Sequence, residues 1–240
     1  MSHPERIVPD DTEPGVVALH VKRYAFALPV CEGREVLDVG CGVGYGTAVL
    51  AETARRVVGG DVDEASIAYA RGRYGLPNVE FIVLDATALP FGDASFDVVC
   101  SFETIEHLDD PEALVREAAR VLRSSGSFLV STPRSAQTTH APENPHHRVE
   151  FAREDFESML RKRFADVELY GERRLQTRLH RLLQRLDVLG LRRRSALLRR
   201  TSVLTGTPAT EHLTLDDVVI SRDGVERAEA FYAVCARPRT

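Results

Sequence analysis

Apolar residues recur at helical spacing over residues 15–31 (GVVALHVKRYAFALPVC), and the stretch stops before Glu32-Gly33. A strand over 35–39 then leads through a glycine-rich turn into a helix predicted over 45–55. A second short apolar run, 56–60, closes on Asp61. The alternation continues with a helix over 64–74, a strand over 79–84, a loop through Pro90 and a strand over 96–101. Asp110-Pro111-Glu112 reads as a capped helix start, an acceptor side chain followed by Pro at the first helical position. That helix is predicted to run to Arg123, where Ser124-Ser125-Gly126 stop it. A strand over 127–131, a helix over 153–163 and a strand over 166–170 resume the pattern. Between them, residues 135–149 form a polar loop with histidines at 140, 146 and 147. Strands alternating with helices of this length predict an α/β fold, a parallel sheet with helices on both faces, whose ligands bind at the carboxyl ends of the strands.

With 240 residues, 43% hydrophobic and 28% charged, the chain has the composition of a folded globular protein, which excludes disordered, collagenous and coiled-coil classes. No apolar run approaches the roughly 18 to 20 residues needed to cross a bilayer, and the N-terminus is polar, so a cytoplasmic location with no transmembrane segment is expected. Cysteines at 31, 41, 100 and 235 form no C-x-x-C pair and read as reduced core thiols. The net charge of −5 hides an asymmetry. Residues 173–200 hold ten arginines and one acid, Asp187, which leaves about −14 for everything else.

The turn after the first strand reads D-V-G-C-G-V-G-Y-G, with Asp38, Gly40, Gly42, Gly44 and Gly46. Glycines let the backbone bend sharply and approach a ligand closely. The dinucleotide fingerprint G-x-G-x-x-G does not fit, because Tyr45 or Thr47 falls where its third glycine belongs. Asp38 is expected to face the mouth of this loop, where a carboxylate opposes a pyrophosphate and favours an ammonium or sulfonium ligand.

This signature resembles the first motif of class I S-adenosylmethionine (SAM)-dependent methyltransferases, and the likeness runs in order from about residue 15 to 171. Asp61, 17 residues after Gly44, resembles the acid that accepts the ribose hydroxyls of SAM. Asp85-Ala86 is similar to the third motif, which receives the adenine amino group, and FDVVCSFETIEHL to the fourth. The resemblance implies a Rossmann-like, seven-stranded, mostly parallel sheet whose last strand, at 230–237, is antiparallel. It implies a donor site formed by Arg23, Asp38, Gly40, Cys41, Gly42, Tyr45, Asp61, Val62, Asp85, Ala86 and Phe102. Arg23 lies in HVKRYAFA with His20 and Tyr24, similar to the family's helix before the first motif, where a basic side chain reaches the methionine carboxylate.

Glu103, Glu106 and His107 fall within five positions after the fourth strand, at separations that share one helical face. The grouping E-x-x-E-H resembles part of the metal set of ubiquinone-biosynthesis O-methyltransferases and small-RNA 3′-terminal 2′-O-methyltransferases. HRVEF at 147–151 is similar to the element that supplies a further histidine in the RNA enzymes, with Val149 in place of an aromatic. The likeness implies Mg²⁺, Mn²⁺ or Zn²⁺ held by Glu103, Glu106, His107 and His147. The alternative is a metal-free pocket in which His107 or His147 is the general base, with Glu103 beside it.

In the basic stretch, Leu175, Leu179, Leu182, Leu183, Leu186 and Leu189 follow a helical stripe flanked by arginines. Such a helix serves as a lid, a homodimer contact, a surface for an anionic membrane or, less readily without aromatics, for nucleic acid. The domain organisation expected is an N-terminal helical cap (1–34), a SAM-binding core (35–171), a basic helical insertion (172–212) and a closing strand (213–240). The function expected is O-methylation of a small hydroxylated acceptor such as a sugar, a polysaccharide precursor or a secondary metabolite. Its rivals are RNA terminal 2′-O-methylation and SAM binding without catalysis.

Overall fold

The computed structural model describes residues 7–174 and 214–239. Helix α1 (Pro14–Cys31) precedes the alternating series β1 (Glu35–Val39), α2 (Tyr45–Leu50), β2 (Arg56–Asp61), α3 (Glu64–Tyr74), β3 (Val79–Val83) and β4 (Phe96–Phe102). There follow α4 (Pro111–Val121), β5 (Leu122–Pro133), α5 (Arg153–Arg161), β6 (Phe164–Arg174), β7 (Val218–Ser221) and β8 (Ala230–Pro238). The strands form one sheet in the order β3-β2-β1-β4-β5-β8-β6-β7. Pairs from β3 through β5 are parallel, and β8 enters antiparallel between β5 and β6.

Alternation along each strand assigns the two faces. Val98, Cys100 and Phe102 of β4 pack with Tyr24, Ala27 and Cys31 of α1 and Leu50 of α2. Val99, between them, points the other way with Phe128 and Val130 of β5 into the layer of α4 and α5. The predicted caps form: Asp110 accepts from Ala113 N at 3.1 Å ahead of Pro111, and Asp63 accepts from Ser66 N at 2.9 Å to start α3. All four cysteines are buried free thiols.

Four expectations are corrected. The sheet has eight strands, because β7 pairs antiparallel with the end of β6 (Arg173↔Val219, Arg174↔Val218) and makes a new edge. Residues 172–174 therefore continue β6 and do not begin the insertion, since β8 on one side and β7 on the other extend their ladders. The leucine stripe and the arginines of residues 175–200 lie outside the described residues. Helix α2 stops at Leu50, where the chain turns back and the Asn78 side chain donates to the carbonyls of Ala51 and Ala54 at 2.9 and 3.1 Å. Strand β5 begins at Leu122, earlier than the serine pair suggests, because Leu122 already pairs with Phe96. Among the described residues, no helix is long and apolar enough to cross a membrane.

Candidate functional site

The strand order reverses between β1 and β4, so the turns leaving their carboxyl ends diverge and leave a crevice. A cavity of about 660 Å³ opens there. The turn after β1 requires glycine: Gly40 has φ +77°, and a Cβ on it would lie 2.2 Å from the Thr104 hydroxyl of the neighbouring turn. At Gly46 a Cβ would fall 1.9 Å from the Tyr24 ring, so this glycine lets α1 close over the start of α2.

Ten of the eleven residues expected at the donor site line this cavity: Arg23, Gly40, Cys41, Gly42, Tyr45, Asp61, Val62, Asp85, Ala86 and Phe102. Asp61, at the end of β2, accepts from Gly42 N and Asp63 N, each at 2.9 Å, one on each oxygen. It thus clips the glycine loop to the second strand. Asp85 accepts from the hydroxyl and backbone N–H of Thr87 at 2.7 and 2.8 Å; these bonds hold its carboxyl below the ordinary carboxylate pKa. Val62 is the most exposed large apolar side chain among the described residues, beside the acid it follows.

Asp38 is the exception. It does not reach the loop mouth: it is fully buried beneath it, accepting from the Thr47 hydroxyl at 2.6 Å, and is not part of the cavity wall. Burial pushes its pKa up from 3.8 to about 7, against the Thr47 bond and with help from Asp61. A strand-interior position facing α2 explains this, since β1 is covered on both faces.

Arg23 is also buried, at 6% exposure, contrary to the solvated position common for arginine. Its Nε lies 2.5 Å from the Tyr232 hydroxyl, Nη2 3.3 Å from Glu103 and Nη1 3.2 Å from His20 Nδ1. Burial opposes its charge, and Glu103, Tyr232 and Glu172 outweigh that effect. His20 is driven down to about 3 by burial and by Arg23, so it is neutral and accepts from the guanidinium.

At the other end of the cavity lie Glu106, His107, Asn144 and His147. A 3₁₀ turn, Ile105–His107, carries the first two. The returning loop is stapled to it by Arg148 N and Val149 N, which donate to the Glu106 carbonyl at 2.7 and 3.2 Å. The rings of His107 and His147 then meet edge to face, 5.0 Å apart. His107 Nδ1 lies 3.0 Å from the His146 carbonyl, which can only accept, so Nδ1 carries the proton and Nε2 is the basic nitrogen. Asn144 accepts from His146 N through Oδ1 at 3.0 Å, so its amide nitrogen, 3.1 Å from His147 Nε2, donates there. His147 Nδ1 in turn donates to Glu150 at 3.0 Å.

The predicted metal set comes together only in part. Ligand atoms of Glu106, His107 and His147 lie within 4.8 Å of one another. Both Glu106 oxygens are buried with no hydrogen-bond partner among the described residues, and burial, then the Glu103 charge, push its pKa well up. Glu103 is not in this group. It sits at φ +51°, and its carboxylate accepts from Ser131 at 2.9 Å while pairing with Arg23. Asn144, Glu172 and Tyr232 join the site from outside the motifs visible in the sequence. The N-P-H-H run marks a turn that could have flagged Asn144, whereas the other two carry no local signal.

Comparison with known proteins agrees with this geometry. Residues 37–130 match the methyltransferase-domain family. A probable S-adenosylmethionine-dependent methyltransferase of Mycobacterium tuberculosis is 42% identical over 172 residues, 70% of this chain and 62% of that protein. The chain thus spans under two thirds of the length of that relative. A fatty-acid O-methyltransferase of Mycolicibacterium smegmatis is 39% identical over 105 residues, 43% of this chain and 38% of the relative. In fold, a chain from the complex between the Haloferax volcanii Trm112 methyltransferase activator and a putative methyltransferase superposes with a TM-score of 0.63 at 22% identity, covering 95% and 93% of the two chains. With the glycine loop, the acids at the ends of the next two strands and the matched relatives all in agreement, residues 37–130 form a domain of the methyltransferase-domain family, similar to S-adenosylmethionine-dependent methyltransferases.

Proposed function

We propose that this chain transfers the methyl group of SAM to the oxygen of a small hydroxylated acceptor, with His107 as the general base. The observation that carries this reading is the bond from His107 Nδ1 to the His146 carbonyl, which makes Nε2 the proton-accepting nitrogen of a side chain in the cavity wall. The donor occupies the part of the cavity walled by Gly40, Gly42, Asp61 and Asp85. Asp61 accepts the ribose hydroxyls, Asp85 the adenine amino group, and Arg23 receives the methionine carboxylate. Val62, Ala86, Tyr45 and Phe102 supply the apolar surround, and Asp38 contributes only its field from below the loop.

In the transfer, the acceptor hydroxyl gives its proton to His107 Nε2 as its oxygen forms a bond to the methyl carbon. The carbon–sulfur bond breaks with its electron pair going to sulfur, which becomes a neutral thioether. The donor is already activated, so the protein's main contribution is alignment, worth several kcal/mol. His147, held by Asn144 and Glu150, packs against His107 and fixes its ring. Methyl transfer to oxygen is supported by the name of the fatty-acid relative.

A second reading has one specific observation behind it, the convergence of Glu106, His107 and His147 with the orphaned Glu106 oxygens. Those three would hold a divalent cation of the Mg²⁺, Mn²⁺ or Zn²⁺ kind, which when bound lowers the pKa of the acceptor hydroxyl. His147 would have to give up Asn144 or Glu150 to serve, and Glu103 would stay with Arg23. Transfer of labelled methyl from SAM to a panel of sugars, phenols and 3′-terminal RNA, with and without EDTA, tests both readings. Turnover on a small hydroxylated compound that ignores EDTA is expected. Loss with EDTA and recovery with a divalent ion would favour the second reading, turnover on RNA alone would overturn the acceptor class, and SAM binding with no turnover on any acceptor would favour a non-catalytic role.

A further inference from the structure

Arg23 is held from behind by two side chains that do not themselves line the cavity. Tyr232 of β8 and Glu172 of β6 are both buried, at 1% and 3% exposure, and stand on paired antiparallel strands. The Tyr232 hydroxyl donates its one proton to Glu172 Oε2 at 2.6 Å, so toward Arg23 it can only accept, and it does so from Nε at 2.5 Å. Glu172 Oε2 also lies 3.5 Å from the same Nε. Contacts to Tyr232, His20 and Glu103 engage three of the five guanidinium N–H groups, one on each nitrogen. One donor on each terminal nitrogen is left by these contacts, two N–H groups, the number that a bidentate pair with a carboxylate uses.

Keeping Glu172 here is costly. Burial pushes its pKa up in spite of Arg23 and Tyr232, and a buried ion pair of this kind is often replaceable by apolar side chains without loss of stability. Its contacts converge on one group at the wall of the donor cavity. We infer that Glu172 and Tyr232 are positioning residues for the donor site: together they lock the rotamer of Arg23 so that its guanidinium meets the carboxylate of the cofactor's amino-acid tail. This rests on the reading of Arg23 given under the proposed function. Neither residue touches the cofactor, so their effect is confined to ligands that carry that tail.

The test compares two ligands by calorimetry on the full chain. S-adenosylhomocysteine carries the amino-acid tail, and 5′-methylthioadenosine has the same nucleoside without it. Glu172→Gln and Tyr232→Phe keep size and shape, and each is expected to weaken S-adenosylhomocysteine about tenfold, the loss of one charge-assisted contact, while leaving 5′-methylthioadenosine unchanged. Arg23→Ala is expected to weaken S-adenosylhomocysteine at least as much, with the same selectivity. Equal weakening of both ligands in the Glu172 and Tyr232 variants would mean a structural role and overturn the inference. An unchanged S-adenosylhomocysteine affinity in those variants, with Arg23→Ala still impaired, would overturn it while leaving the reading of Arg23 intact. Unchanged affinity in Arg23→Ala would overturn that reading and the inference with it.

Discussion

The two ends of the cavity are built by different means. The donor end is made of turns at three neighbouring strand ends, each closed by bonds within the turn, Asp61 to Asp63 N, Asp85 to Thr87 and Gly44 N to the Cys41 carbonyl, and the glycine loop is clipped to the adjacent β2 by Gly42 N to Asp61 and Gly40 N to the Gly60 carbonyl. The acceptor end is made of side chains brought together over long separations. His107 depends on a carbonyl 39 residues away, and the Asn144–His147 turn stays in place through the bonds of Arg148 and Val149 to the Glu106 carbonyl. Local closure makes the first end a preformed cradle, while the second is only as well aligned as the docking of its loop. A family can therefore keep one donor and change acceptors by changing the loop.

If the two ends are separable, damage to one should spare the other. The largest effect is expected from His107→Gln, which removes the base but keeps a side chain able to donate to the His146 carbonyl. Its kcat should fall by about 10²- to 10⁴-fold, the usual worth of a general base, with SAM affinity unchanged by calorimetry. A smaller effect is expected from Asn144→Ala. It frees His147 Nε2 and the His146 N–H, and should raise the acceptor KM about tenfold, the loss of one or two hydrogen bonds, while the SAM KM stays put.

Gly40→Ala attacks the other end. It places a Cβ in the left-handed region against Thr104, should cost about 1–2 kcal/mol of stability in chemical denaturation, and should weaken SAM more than the acceptor. The smallest effect concerns Asp38. Its folded pKa of about 7 lies above the unfolded value of 3.8, so the folded state holds the proton more tightly. Stability from this group is therefore full below 3.8, declines as pH rises through that window and levels off above about 7. Melting of SAM-free protein should show Asp38→Asn gaining on the wild type as pH rises across that range. A constant difference would show that Asp38 does not titrate there.

How much of this the sequence reveals follows the same division. The donor end is legible because Gly40, Asp61 and Asp85 each sit a fixed step beyond an apolar run, and strand alternation puts those runs side by side. Asp38 misleads because a motif position says where a residue falls on the chain and not which way a strand points it. The convergence of Glu106, His107 and His147 is half legible: the five-residue cluster is visible, but only the folded loop separates Glu103, drawn to Arg23, from the other three. The Arg23 support is hidden altogether. Tyr232 lies 209 residues from Arg23 within an otherwise apolar strand, and Glu172 borders an arginine-rich stretch where a single acid attracts no notice. Strand β7 escapes for a different reason, since four residues at a sheet edge leave too short a pattern.

On the proposed function, the crevice between β1 and β4 is a SAM site closed by Asp61. Calorimetric titration of SAM into the wild type and Asp61→Ala tests it most directly. Saturable one-to-one binding to the wild type is expected, with a loss of about 10- to 100-fold in the variant, which no longer accepts the ribose hydroxyls or clips Gly42. Wild type that does not bind SAM, or a variant that binds it as tightly, would rule out a SAM site there.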